Sequence, residues 1–141
     1  MKRVLVIDDD DGVRESFRAA LEDGGYAVTT AESGPAGLES AAKARPDLIF
    51  LDLKMPGLTG VETLRRLHST CPQTPVYIVT GFYGEFVTPL RELQRAGIDF
   101  NLARKPLSAT EIKAIAAGRI GGLDPIVIAN GSPTNSMGGR A

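Results

Sequence analysis

The chain has 141 residues, 43% hydrophobic and 23% charged, which is the composition of one globular domain rather than a disordered segment, long enough to bury a core without a disulfide or metal staple. Its 16 basic and 17 acidic residues leave a net charge of −1, so no global field would hold a nucleic acid or an anionic membrane, and DNA binding would need a local basic patch. The single cysteine, Cys71, cannot pair within the chain, no apolar run reaches the roughly 18–20 residues of a membrane span, and Met1-Lys2-Arg3 leads into a strand-like segment rather than a signal peptide, so a cytoplasmic domain is expected.

The chain alternates two kinds of segment. Val4-Leu5-Val6-Ile7 is an apolar run too short for a helix, and reads as a strand. Val13, Phe17, Ala20 and Leu21 then fall on one face of a helix that Gly24-Gly25 would end. Tyr26-Ala27-Val28 is a weaker strand, after which Ser33 caps a second helix carrying Leu38, Ala41 and Ala42, stopped by Pro46. Leu48-Ile49-Phe50-Leu51 is the third strand, and Val61, Leu64 and Leu67 mark the third helix. Val76-Tyr77-Ile78-Val79 is the fourth strand. Thr88-Pro89 reads as the start of a fourth helix with Leu90, Leu93 and Ala96 inward and Gly97 beyond it. A weak fifth strand lies around Ile98 to Leu102, and Ser108 with Glu111 forms a capping box for a last helix holding Ile112, Ile115 and Ala116. Strands that are continuously apolar rather than alternating are covered on both faces, so five β–α repeats imply a parallel sheet with helices on both sides. Residues 119–141 are rich in Gly, Pro, Ser and Asn with one apolar island, Ile126-Val127-Ile128, and read as a mostly mobile tail on a domain spanning 1–118.

In such sheets, sites lie outside the carboxyl ends of the strands. Asp8, Asp9, Asp10 and Asp11 follow the first strand, Asp52 the third, Thr80-Gly81 the fourth and Lys105-Pro106 the fifth. The acids, the Thr and the Lys should therefore meet in one shallow cleft. Three carboxylates against one ammonium leave negative charge uncompensated, and a hard divalent cation such as Mg2+, with oxygen ligands and several retained waters, resolves it. Asp52 then becomes a candidate nucleophile for a phosphoryl group. Thr80 and Lys105 would face the phosphoryl oxygens, where phosphoryl transfer needs positioning and positive charge.

These residues resemble the receiver domain of two-component response regulators. The matching features are Asp8-Asp9, the stretch from Asp52-Leu53-Lys54-Met55-Pro56-Gly57 to Gly60, Thr80-Gly81 and Lys105-Pro106, in that order over roughly residues 3–118. The resemblance implies the flavodoxin-like (βα)5 fold and a signalling phosphoacceptor rather than an enzyme acting on other substrates. It implies that Asp52 takes its phosphoryl group from a sensor histidine kinase or phosphotransfer protein and passes the signal to a downstream protein target. It further implies Mg2+ held by Asp9, Asp52 and the backbone carbonyl of Lys54, with Asp8 acting through water, Thr80 and Lys105 on the phosphate, and a cis Lys105–Pro106 bond. Most receivers carry an aromatic residue three positions before the Lys, where this chain has Leu102; the interval from Thr80 to Lys105 is also about three residues longer than usual. The extra length falls in residues 81–87, whose Phe82, Tyr83 and Phe86 either cover the site or stand in for that aromatic.

Other residues have plainer readings. Asp10 and Asp11 suit the N-terminus of the first helix as caps. His68 sits in the last turn of the third helix with no nucleophile or metal partner, and Cys71 reads as a packed thiol. Asp9-Asp10-Asp11-Gly12-Val13 also resembles the Asp-x-Asp-Gly signature of haloacid-dehalogenase-like phosphatases, which would work through Asp9 and Asp11. That family needs a further acidic motif after its Lys, and only Glu111 and Asp124 follow here. A receiver fold serving as a phosphorylation-independent adaptor is the other alternative, disfavoured because every residue the chemistry needs is present. No basic stretch follows residue 118, so no nucleic-acid contact is expected from this chain.

Overall fold

The structure, a computed structural model, describes residues 1–81 and 83–120. Five strands, β1 (Arg3–Ile7), β2 (Ala27–Ala31), β3 (Leu48–Leu51), β4 (Val76–Thr80) and β5 (Asn101–Arg104), alternate with five helices, α1 (Asp11–Asp23), α2 (Gly34–Lys43), α3 (Gly60–Thr70), α4 (Val87–Arg95) and α5 (Ala109–Ile120). All strand pairs are parallel, in the order β2-β1-β3-β4-β5. This is the flavodoxin-like (βα)5 fold.

The pleat sorts the strand residues into two cores. Leu5, Ile7, Ile49, Leu51 and Ile78 pack with Ala41, Leu64, Leu67, Leu90 and Leu93, which places α2, α3 and α4 on one face. Val4, Val6, Leu48, Phe50, Tyr77 and Val79 pack with Phe17, Ala20, Leu21, Ile112 and Ile115, which places α1 and α5 on the other. Adjacent residues of one strand thus enter different cores, and the strands lack alternation because both of their faces are buried.

The helix ends follow their side chains. Asp10 accepts from the Val13 N–H at 3.0 Å and caps α1, Ser33 caps α2 through the Ala36 N–H at 3.2 Å, and Thr59 caps α3 through the Glu62 N–H at 3.2 Å. The Ser108–Glu111 box closes as expected, with bonds of 2.8 and 3.1 Å. Other expectations need correction. On α2, Leu38 and Ala41 face the core as expected, but Ala42 is exposed, and the closest approach to the sheet and α3 is made by Gly34 and Gly37. A Cβ at Gly34 would run into Thr63, and one at Gly37 into Ile7, so the helix lies too close for larger residues. The fourth helix starts at Val87, one residue before Thr88, behind a 3-10 turn at Tyr83–Phe86; Ala96 is its exposed C-cap. The fifth strand begins at Asn101, because Ile98 is used in the turn after α4, where Gly97 has φ +89° and the Ile98 N–H bonds Leu93 O at 3.0 Å. α5 runs two residues past the boundary at 118, and the rest of the proposed tail, with its island at 126–128, lies outside the described residues.

Candidate phosphoacceptor site

The sheet order brings the acidic residues together. β1 and β3 are neighbours with Ile7 opposite Leu51, so the residues that follow, Asp8 and Asp52, emerge side by side. The Asp8 N–H bonds Ala31 O on one side of β1 at 3.0 Å, and the Asp52 N–H bonds Ile7 O at 2.9 Å. The helices connected to β1 and β3 lie on opposite faces at this point, which opens the crevice where such sheets bind ligands. On the other side, Thr80 closes β4 opposite Arg104, and the Lys105 N–H bonds Thr80 O at 3.0 Å. The Lys105–Pro106 peptide is cis.

Asp8, Asp52 and Thr80 are buried, and Asp9 is exposed at the mouth. Carboxylate oxygens of Asp8, Asp9 and Asp52 all lie within 4.8 Å of one another. Lys105 Nζ stands 2.8 Å from Asp8 Oδ2 and 3.4 Å from Asp52 Oδ1, so it bridges the two buried acids. The electrostatics reflect that crowding. Burial, then the charge of Asp8, push the Asp52 carboxyl up to about 6, against the opposing pull of Lys105. Burial works against the Lys105 ammonium, yet its hydrogen bond and charge interaction with Asp8, then those with Asp52, hold it above the ordinary lysine value. Asp8 therefore contacts Lys105 directly, in addition to any role through water.

The loop from β3 to α3 is fixed from below. Leu53 and Met55 are buried in the core under α2–α4, and the Gly60 N–H returns to Leu53 O at 3.0 Å. A side chain at Gly60 would collide with the backbone of Asp52 and Leu53, so this position accepts only glycine without moving the acid. Gly57 has φ +76°, a turn conformation that glycine adopts freely. Lys54 is exposed between the two buried anchors.

The four consecutive acids have different fates. Asp8 pairs with Lys105, Asp10 caps α1, and Asp11, 91% exposed, pairs with Arg14. Asp9 has no hydrogen bond or ion pair among the described residues, and its exposed carboxylate lies beside those of Asp8 and Asp52. Asp11 pairing outward in solvent also removes the phosphatase alternative, which needs Asp9 and Asp11 in one site. Arg14 is the residue that sequence pattern passes over. Its only signal is an arginine one turn beyond an acidic run, which reads as an ordinary i,i+3 helix pair. His68 is half-buried in the last turn of α3, and Cys71 is its buried C-cap, with a thiol raised by burial. Leu102 and Phe86 both pack against the core under α2–α4, so Phe86 covers apolar surface; Phe82 and the Tyr83 side chain lie outside the described residues.

Among the described residues, no helix is long and apolar enough to cross a membrane. The family model described as response regulator receiver domain matches residues 4–117. Response regulator MprA of Mycobacterium leprae (strain TN) is 45% identical over 78 residues, which are 55% of this chain and 34% of that protein. The chain thus spans about a third of the length of the curated relatives it matches. Among solved structures, a CheY-like response regulator receiver domain protein from Methanospirillum hungatei JF-1 superposes with a TM-score of 0.78 at 26% identity, over 86% of this chain and 95% of that one. The chemotaxis protein CheY4 of Vibrio cholerae gives 0.72 at 31% identity, over 85% and 98%.

Proposed function

We propose that this chain, which belongs to the response regulator receiver domain family, accepts a phosphoryl group on Asp52 from a sensor histidine kinase or phosphotransfer protein and relays that state to a downstream protein target. The observation that carries the reading is the placement of Lys105 between Asp8 and Asp52, with three carboxylates within 4.8 Å at the carboxyl edge of the sheet. In the transfer, an Asp52 oxygen forms a bond to phosphorus as the phosphorus–nitrogen bond of a phosphohistidine breaks, and the electron pair stays with the imidazole. Lys105 moves its charge onto the phosphoryl oxygens, and the Thr80 hydroxyl, at the end of β4, supplies a donor beside them.

The donor set suits Mg2+. It offers hard carboxylate oxygens from Asp8, Asp9 and Asp52, has no sulfur or imidazole, and opens to solvent at Asp9, as a cation that retains several waters requires. Asp9, Asp52 and the Lys54 carbonyl would hold the ion, with Asp8 behind them. When bound, Mg2+ neutralises charge on the phosphoryl oxygens. We place residues 1–118 in this receiver role, as a phosphoacceptor in the cytoplasm that catalyses only its own phosphorylation and dephosphorylation, and without nucleic-acid contact of its own.

Intact mass spectrometry with a small acyl-phosphate donor and Mg2+ tests this reading. The wild-type chain should gain one phosphoryl group and Asp52→Asn none. Equal labelling of that variant would refute the assignment of Asp52.

A further inference from the structure

Arg14 lies on the inner side of the first turn of α1, with its side chain only 14% exposed. Its Nη1 donates to the backbone carbonyl of Asp8 at 2.7 Å, while its Nη2 pairs with Asp11. One planar guanidinium therefore ties the first acid of the run to the last. The Asp8 carbonyl belongs to the peptide that joins Asp8 to Asp9, so a charged donor on that oxygen fixes the peptide plane from which the Asp9 side chain springs. The rest of Asp8 is held as well. Its N–H bonds Ala31 O at 3.0 Å, its Oδ1 accepts the Asp10 N–H at 2.9 Å, and its Oδ2 meets Lys105. Without Arg14, the Asp8 carbonyl has no other protein donor among the described residues, and that peptide could turn while Asp8 itself stayed in place.

We infer that Arg14 is a positioning residue for the divalent-cation site: it orients the Asp8–Asp9 peptide so that Asp9 faces Asp52, and it draws Asp11 away from the cleft. This rests on the cleft being the Mg2+ site proposed above. Groups that orient metal ligands from behind typically change metal affinity by about 10–100-fold when removed. The sign of the effect separates orientation from charge. Arg14 is a cation one peptide away from the site, so by charge alone its removal would tighten Mg2+ binding. Orientation demands that removal weaken it.

The experiment is a Mg2+ titration of the full chain followed by amide chemical shifts, with wild type, Arg14→Met, Arg14→Lys and Asp11→Asn. Arg14→Met should bind Mg2+ about tenfold more weakly. Arg14→Lys, which keeps the charge but not the fork, should fall between it and wild type. Asp11→Asn leaves the bond to the Asp8 carbonyl and should bind within about twofold of wild type, as surface pairs contribute little. Asp52 labelling in Arg14→Met should be slow at limiting Mg2+ and recover to the wild-type rate at saturating Mg2+. Unchanged or tighter Mg2+ binding in folded Arg14→Met would overturn the inference, as would a labelling rate that stays low at saturation. If Arg14→Met does not fold, Arg14→Lys decides, because wild-type affinity there overturns the inference and a clear loss supports it. Absence of Mg2+ binding by the wild-type chain would instead refute the cation site itself.

Discussion

Replacing Asp52 by Asn removes a charge that the fold itself opposes. The carboxyl is nearly isosteric with the amide, so packing at this 6% exposed position is kept. In the unfolded chain Asp52 titrates at the ordinary 3.8, whereas in the fold burial and the neighbouring Asp8 raise it to about 6. The folded state therefore binds the proton more tightly than the unfolded state. The stability this provides is full below the unfolded value and is lost as pH rises from 3.8 through about 6. At about 1.4 kcal/mol per pH unit, the difference amounts to about 3 kcal/mol against the ionised wild type once both states are deprotonated. Asp52→Asn escapes that loss. Urea unfolding of both proteins without divalent cations, at intervals from about pH 4 to about pH 8, should show the variant gaining on wild type by about 3 kcal/mol, equivalent to a midpoint shift of about 1–2 M urea. Excess Mg2+ should shrink the gap at the upper end, because a bound cation offsets the charge. A stability difference that does not change across this range would refute the claim that Asp52 is held at raised pKa. A variant that loses ground as pH rises would reverse its sign.

Lys105→Met should raise the Asp52 pKa above about 6, because the ammonium that bridges Asp8 and Asp52 is gone, and should slow phosphorylation by about a hundredfold; Asp52 titration and labelling rate check the two effects. Asp9→Ala should weaken Mg2+ far more than Asp11→Ala, since Asp9 faces the cluster and Asp11 pairs with Arg14 in solvent; equal affinities in a calorimetric titration would make the acidic run a solvated helix cap. Gly60→Ala should destabilise the chain by about 1–3 kcal/mol in urea and slow Asp52 labelling, because the new Cβ meets the backbone of Asp52 and Leu53, which cannot yield as a side chain would.

What the sequence alone determined is the local part. Unbroken apolar runs bounded by turn residues mark β1, β3 and β4, and the residues that follow them carry the chemistry whatever the strand order, because every parallel strand presents the same end to the same edge. The Ser33 and Ser108 caps were legible for the same reason, since they bond within one turn of their own residue. Features that depend on partners from elsewhere in the chain were not. On α2, hydrophobic periodicity finds Leu38 and Ala41 but misses Gly34 and Gly37, because close approach to Thr63 and Ile7, not side-chain size, sets the contact there. β5 slid to Asn101–Arg104 because an edge strand has no continuous apolar signature and Ile98 is spent on the turn before it. The separate fates of four identical acids were decided in tertiary structure as well. A capping role for Asp10 is local, but the Lys105 that holds Asp8 comes from the far edge of the sheet, and the Arg14 contact with the Asp8 carbonyl depends on how α1 packs against β1. Above all, the order β2-β1-β3-β4-β5 sets Asp8 beside Asp52, and that order is fixed by which face each helix covers, a choice made by burial over the whole sheet.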